Sequence, residues 1–168
     1  MSIKISEIDD QGKPVDWWFI YKVAGKSKLS DGTKADGAKY LYFDSNKQKG
    51  EKLHLSSFLI NDPAHGAVAN TLNQIYKNAA DPDLGWFFYN DEDPITGKTN
   101  SSRGHTKGVL CFDLKSDTAF WLIHSAPKFP PKGKYDFPES ATDNAQKESG
   151  CKLRVTLWEF HFISIQSR

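Results

Sequence analysis

Two apolar runs separated by a short polar segment constrain the fold of this chain more than any other feature. Residues 107–113 (KGVLCFD) and 119–124 (AFWLIH) are both rich in aromatic and aliphatic residues, and residues 114–117 (LKSD) join them. Such an arrangement predicts an antiparallel β-hairpin. If its turn is centred near Lys115 or Ser116, Lys107 lies across from His124 or Ser125.

Four further segments have the composition of strands. Residues 17–23 (WWFIYKV) form a continuous aromatic and β-branched run, which predicts a buried strand. The runs at 40–43 and 86–89 predict two more strands, and the second of them leads directly into an acidic loop. Residues 153–165 alternate loosely between apolar and polar types, so we expect one more strand there.

One segment has the periodicity of a helix. Asn61 or Asp62 is predicted to cap it, Pro63 suits its first position, and Asp81 and Pro82 end it. A single helix among several strands predicts the α/β class, with α+β as the alternative. The apolar stripe of this helix consists of Val68, Leu72, Ile75 and Ala79.

The length and the charge balance of the chain limit the number of domains and the kinds of partner that it can have. A chain of 168 residues predicts a single domain over 1–168, and 22 basic against 21 acidic residues exclude a strongly basic nucleic-acid coat. No apolar run approaches the ~18 residues of a membrane span, so a membrane partner is not expected. The first residues lack the hydrophobic core of a signal peptide, which predicts a cytoplasmic protein or a fragment of a secreted or lysosomal-type one.

Cys111 and Cys151 are expected to be reduced thiols, with one disulfide as the alternative.

The segment 103–108 (RGHTKG) carries the residues best suited to phosphate chemistry. In an extended chain His105 and Lys107 face the same way, which places a group that titrates near neutrality beside a fixed cation. Phosphoryl transfer needs a nucleophile or proton carrier together with stabilisation of developing charge. Gly104 and Gly108 leave room for a phosphate to approach the backbone. The alternative is a surface histidine next to a solvated lysine.

The predicted hairpin adds His124 and Ser125 to the same end of the sheet as Lys107. For His124 the alternative is a core histidine bonded to a backbone carbonyl. A metal site built from His105, His124 and Asp113 is disfavoured because these residues lack a recognisable ligand spacing and Lys107 opposes a cation.

Several blocks of the sequence resemble, in the same order along the chain, the deoxyribonuclease II family. The resemblance covers about residues 12–138 and corresponds to the N-terminal half of a typical member, whereas residues 145–168 are divergent. The most specific blocks are the last two of the following set: 15–19 (VDWWF), 39–42 (KYLY), 89–91 (YND), 103–109 (RGHTKGV) and 120–130 (FWLIHSAPKFP).

The resemblance implies a fold, a reaction and a set of site residues. Members are similar to the phospholipase D superfamily, in which two α/β halves, each a mixed sheet with flanking helices, contribute one His-x-Lys element to a shared active site. The implied activity is a metal-independent acid endonuclease that uses no cofactor and cuts DNA to leave 3′-phosphate ends. By this resemblance the catalytic residues are His105, Lys107 and His124, and the DNA-binding residues are Asn90, Arg103, Gly104 and Ser125.

The second His-x-Lys element of the family has no counterpart in this chain, which leaves three alternatives open. A homodimer could complete the active site with a second copy of His105 and Lys107. The chain could instead be a catalytically inactive half-domain that at most binds DNA. A phospholipid substrate is the third alternative, and the lack of an amphipathic membrane segment disfavours it.

Overall fold

The computed structural model describes residues 4–29, 31–32, 34–98, 106–138 and 152–157. No helix within these ranges is long and apolar enough to cross a membrane. The helix and strands of these ranges are β1 (Glu7–Ile8), β2 (Pro14–Val15), β3 (Trp17–Lys22), β4 (Tyr40–Asp44), β5 (His54–Leu55), α1 (Ala67–Asn78), β6 (Leu84–Asn90), β7 (Lys107–Asp113), β8 (Thr118–His124) and β9 (Lys152–Leu157).

The strands form two sheets. One pairs β1 with β2, and the other contains seven strands in the order β5-β4-β3-β9-β8-β7-β6. The combination of helix and sheet confirms the predicted fold class. The sheet differs, however, from the mixed sheet that the resemblance implies, because every ladder of the described strands is antiparallel. A four-residue turn joins the antiparallel pair β7 and β8, and an antiparallel sheet with a helix on its face is the α+β arrangement.

The strand β9 joins the two halves of the larger sheet. Val155 lies in register with Trp18 of β3 on one side and with Leu122 of β8 on the other. The strand predicted from residue 153 is therefore present from 152 to 157, and residues from 158 onward lie outside the described part of the chain. A segment near the end of the sequence thus occupies the middle of the sheet.

Among the described residues, those that cover the larger sheet pack against one of its faces. The helix α1, the β1–β2 ribbon and the segment 126–137 pack against that face and form the core with Trp18 and Ile20. The strand predicted at 17–23 is present from 17 to 22, but only one of its sides is buried, since burial alternates along β3 and Trp17 is 39% exposed. The opposite face presents large apolar side chains that are at least partly exposed, among them Phe87, Trp121 and Ile123.

The helix begins later than predicted. Its first residue is Ala67, and neither Asn61 nor Asp62 caps it; Asp62 instead accepts hydrogen bonds from the backbone of Ala64 and His65 in the preceding turn. The backbone N–H of Ala67 donates to the buried carboxylate of Asp10, 2.9 Å away. The predicted stripe residues Val68, Leu72 and Ile75 are buried, whereas Ala79 lies just beyond the helix and is exposed.

Candidate active site

The ends of three neighbouring strands bring the candidate residues together. Lys107 at the start of β7 is in register with His124 at the end of β8, as predicted from the position of the turn. On its other side Lys107 is in register with Asn90, the last residue of β6. Because directly paired residues lie on the same face of a sheet, the three side chains form one row on the face that α1 covers.

The ammonium group of Lys107 is buried and paired with carboxylates. Its Nζ donates a hydrogen bond to Oδ1 of Asp91 and lies 3.5 Å from Oε1 of Glu92. Only 6% of the Lys107 side chain and 4% of the Asp91 side chain are exposed to solvent. Burying the ammonium without a partner would cost several kcal/mol, and these carboxylates offset that cost.

The ring of His124 is buried against Phe129 and carries no charge. The two ring centroids are 5.5 Å apart in an edge-to-face arrangement. Burial, and then the nearby ammonium of Lys107, lower the pKa of His124 to about 3, while the backbone at Ala126 opposes that shift. Neither ring nitrogen makes a well-formed hydrogen bond with any described residue. A buried polar group without a partner is uncommon in proteins, and a catalytic role is one of its recognised explanations.

The other predicted site residues differ in how far the structure describes them. Both ends of the Asn90 amide contact backbone, since Nδ2 donates to the carbonyl oxygen of Phe129 at 2.7 Å and Oδ1 accepts from the N–H of Glu92 at 2.8 Å. Ser125 follows His124 and is exposed. The predicted residues Arg103, Gly104 and His105, and also Cys151, lie outside the described residues. Cys111 is a buried free thiol in β7, and burial raises its pKa to about 12.

The structure assigns Gly108 a different role from the one predicted. A Cβ atom at Gly108 would lie 2.3 Å from the hydroxyl oxygen of Tyr89 and 2.5 Å from the carbonyl oxygen of Leu122. The space beside this glycine is therefore occupied by the Tyr89 side chain and not available to a phosphate. The hydroxyl of Tyr89 in turn accepts a hydrogen bond from Nε1 of Trp121 at 3.0 Å.

Asp113 lies at the opposite end of the hairpin from the site. It follows Lys107 by six residues along β7, which corresponds to about 20 Å in an extended strand. Its Oδ1 accepts hydrogen bonds from the backbone of Lys115 and Ser116, which stabilises the turn. Asp113 and His124 are therefore too far apart to share a metal ion, and no three potential metal ligands cluster in the described part of the chain.

Asp91 and Glu92 contact Lys107 in the site, although no local pattern in the sequence indicates this. The acidic loop after the strand at 86–89 was visible, but its pairing partner depends on register. Asn90 lies opposite Lys107, so the residue that follows Asn90 is the first that can turn back towards the ammonium group. The contact between this loop and Lys107 can be inferred only when β6 and β7 are known to be neighbouring strands.

The arrangement is suited to binding and transforming an anionic group. A buried ammonium can stabilise negative charge that develops in a transition state, and a neutral imidazole can accept or relay a proton. These groups lie at one end of the sheet, and in the sequence only Thr106 separates Lys107 from His105.

Comparison with known proteins identifies the family. The chain is 41% identical to plancitoxin-1 of Acanthaster planci over 84% of its length, and 38% identical to deoxyribonuclease-2-alpha of Bos taurus over 82%. It is also 41% identical to cell-death-related nuclease 7 of Caenorhabditis elegans over 81%. The chain spans only 34–39% of the length of these relatives. The profile of the deoxyribonuclease II family matches residues 6–156, a range that includes all of β9 except Leu157, and the chain therefore belongs to the deoxyribonuclease II family.

Proposed function

We propose that this chain carries one His-x-Lys element of a metal-independent endonuclease that cuts DNA. The observation that supports it is the juxtaposition of Lys107 and His124 across the hairpin, in a chain whose family is deoxyribonuclease II. In this proposal a nucleophile, either His105 or water, forms a bond to phosphorus as the P–O5′ bond breaks. The 5′ oxygen takes a proton and leaves as a hydroxyl. If His105 is the nucleophile, water then hydrolyses the phosphorus–nitrogen bond, so that in either case the phosphate stays on the 3′ oxygen.

The described residues have separate roles in this reaction. Lys107 stabilises the negative charge that grows on the phosphoryl oxygens, and the substrate phosphate competes with Asp91 and Glu92 for its ammonium group. His124 is neutral at working pH because burial and the nearby Lys107 ammonium lower its pKa to about 3, so it does not supply the proton at the outset. His105 is either the nucleophile that attacks phosphorus or the carrier of the proton.

The protonated acid of the reaction must then be another histidine. A histidine of ordinary pKa, ~6.5, is protonated in mild acid and neutral above pH 7. We therefore expect cleavage to be fastest in acid, to fall as pH rises above neutrality, and to persist in excess chelator. Full dependence on added magnesium would contradict the proposed mechanism.

The decisive experiment replaces His105. We expect His105→Ala to abolish nicking of supercoiled plasmid while DNA binding, followed by fluorescence anisotropy, is retained. His65→Ala is the matched control, because His65 lies in an exposed turn ahead of α1 and contacts Asp62. Cleavage that falls less than tenfold in His105→Ala, about 1.4 kcal/mol of barrier, would overturn the assignment of His105.

A second candidate function is DNA binding without cleavage. It is favoured by the single His-x-Lys element, residues 105–107, that these 168 residues contain. In-line displacement needs a nucleophile and an acid on opposite sides of phosphorus, and one element supplies only one of them. A homodimer would restore the second element, so activity is expected to accompany dimerisation.

A further inference from the structure

A loop rich in lysine runs away from the candidate active site. Residues 126–137 contain three lysines and one aspartate, a net charge of +2 in a chain whose total is +1. Within this loop buried aromatic side chains alternate with lysines that are exposed or half-buried. The buried residues are Phe129, Tyr135 and Phe137, and the lysines are Lys128, Lys132 and Lys134.

Hydrogen bonds hold this loop against the rest of the chain. At its first half, the carbonyl oxygen of Phe129 accepts from Asn90 of the site row. Further along, the hydroxyl of Tyr76 on α1 donates to the carbonyl oxygen of Pro131 at 2.8 Å, and the hydroxyl of Tyr135 donates to the carbonyl oxygen of Ile60. The loop is therefore a fixed connection between the candidate active site and α1.

An open cleft of about 480 Å³ separates the far part of this loop from the helix. Lys77 lies on the helix side of the cleft and Lys134 on the loop side. Lys134 contacts Asp136 at 3.6 Å, but both side chains are more than half exposed, so the pair contributes little stability. An incoming anion can therefore replace Asp136 as the partner of Lys134 at small cost.

We propose that this cleft and the loop lysines bind the sugar-phosphate backbone of a DNA strand beyond the phosphate that is cut. This inference rests on the proposed function. Lys128, Lys132 and Lys134 are spread along one segment and do not converge on a point, which suits a chain of phosphates better than a single phosphate ion. Contacts to phosphates fix the position of DNA without reading its sequence, so the cleft contributes affinity and register but no base preference.

The test compares two double variants of equal charge change. Lys132→Ala with Lys134→Ala removes two exposed cations from the loop, and Lys49→Ala with Lys52→Ala removes two exposed cations between β4 and β5, at the other edge of the sheet. Binding of a labelled duplex of about 20 base pairs is measured at several salt concentrations. Each lost phosphate contact lowers the slope of log Kd against log salt by about 0.9.

We expect the loop variant to lose about 1.8 from this slope and to bind more weakly at low salt, and the control to keep the slope of the unsubstituted protein. Equal slopes in the two variants would overturn the inference about the loop. The proposed function would remain intact in that case, provided that the unsubstituted chain binds DNA. If the unsubstituted chain does not bind DNA at any salt concentration, both the inference and the proposed function fail. Thermal melting of both variants confirms that each is folded.

Discussion

Lys107 is the residue on which the proposed chemistry most depends. We expect Lys107→Ala to lower the initial rate of plasmid nicking at least tenfold, because its ammonium stabilises charge that grows in the transition state. Lys107→Arg should not restore the rate, since a planar guanidinium does not replace a compact ammonium between Asp91 and Glu92. Lys115→Ala, at the exposed turn of the same hairpin, is the control. A rate within threefold of the unsubstituted protein would contradict the role of Lys107.

Asp91 is expected to hold Lys107 in place. Removing one partner of a buried ion pair leaves an uncompensated charge, so Asp91→Asn should lower the free energy of unfolding by about 3 kcal/mol. Asp136→Asn breaks an exposed pair with Lys134 and should change stability by less than about 1 kcal/mol. Denaturant unfolding measures both. Equal effects of the two substitutions would show that the Lys107–Asp91 pair does not stabilise the fold.

Glu7 makes the stability of the chain depend on pH. Its side chain is fully buried, and burial, with a smaller effect from the charge of Asp16, raises its pKa from 4.5 to about 8. Between these values the unfolded chain loses the proton and the folded chain keeps it, so stability should fall as pH rises from 4.5 to 8, by up to about 1.4 kcal/mol per pH unit. Glu7→Gln should remove this slope, and Glu51→Gln, at an exposed position, should keep it. Parallel pH profiles for both variants would contradict the buried neutral state of Glu7.

At the scale of elements, α1 is held by a carboxylate distant in sequence. Asp10 accepts hydrogen bonds from Ala67 N–H and from the hydroxyls of Tyr40 and Ser56, the latter two at 2.6 Å. Because hydrogen bonds to a charged acceptor contribute about 1.5–3 kcal/mol each, Asp10→Asn should lower the free energy of unfolding by about 3 kcal/mol. Asp62→Asn, at the cap predicted from sequence, should cost less than about 1 kcal/mol. The opposite order in urea denaturation would show that the local turn caps the helix.

This contrast shows which parts of the fold the sequence could predict. Two apolar runs and one turn, all within 18 residues of chain, predict His124 or Ser125 opposite Lys107, and the structure has the first of these two registers. The partner of Ala67 lies 57 residues away, and nothing local to the helix indicates it. Local sequence likewise does not indicate that β9 lies in the middle of the sheet, or that Asp91 pairs with Lys107. Local patterns therefore predict single helices, strands and hairpins. Contacts between segments that are distant in sequence can be identified only from the three-dimensional structure.

At the scale of the whole molecule, we propose from two features that this chain acts as a two-fold dimer. One face of the large sheet presents exposed apolar side chains, with Phe87 60% exposed, and apolar patches of this kind are typical of surfaces that associate. The chain also contains one His-x-Lys element where the proposed reaction needs two. A two-fold dimer would bring both elements into one site and would need to bury at least ~1,000 Å² in total.

Mixing active and inactive copies distinguishes a shared site from an independent one. If cleavage needs His105 from both subunits of an exchanging dimer, an equal mixture of unsubstituted protein and His105→Ala should retain about one quarter of the activity expected at the same total concentration, because only dimers with two intact copies cut DNA. An active monomer would retain about one half. The same mixture with His65→Ala should keep full activity, and sedimentation of each sample establishes whether dimers are present. A strictly linear loss of activity with the fraction of His105→Ala would contradict the shared site, since each chain would then cut DNA alone.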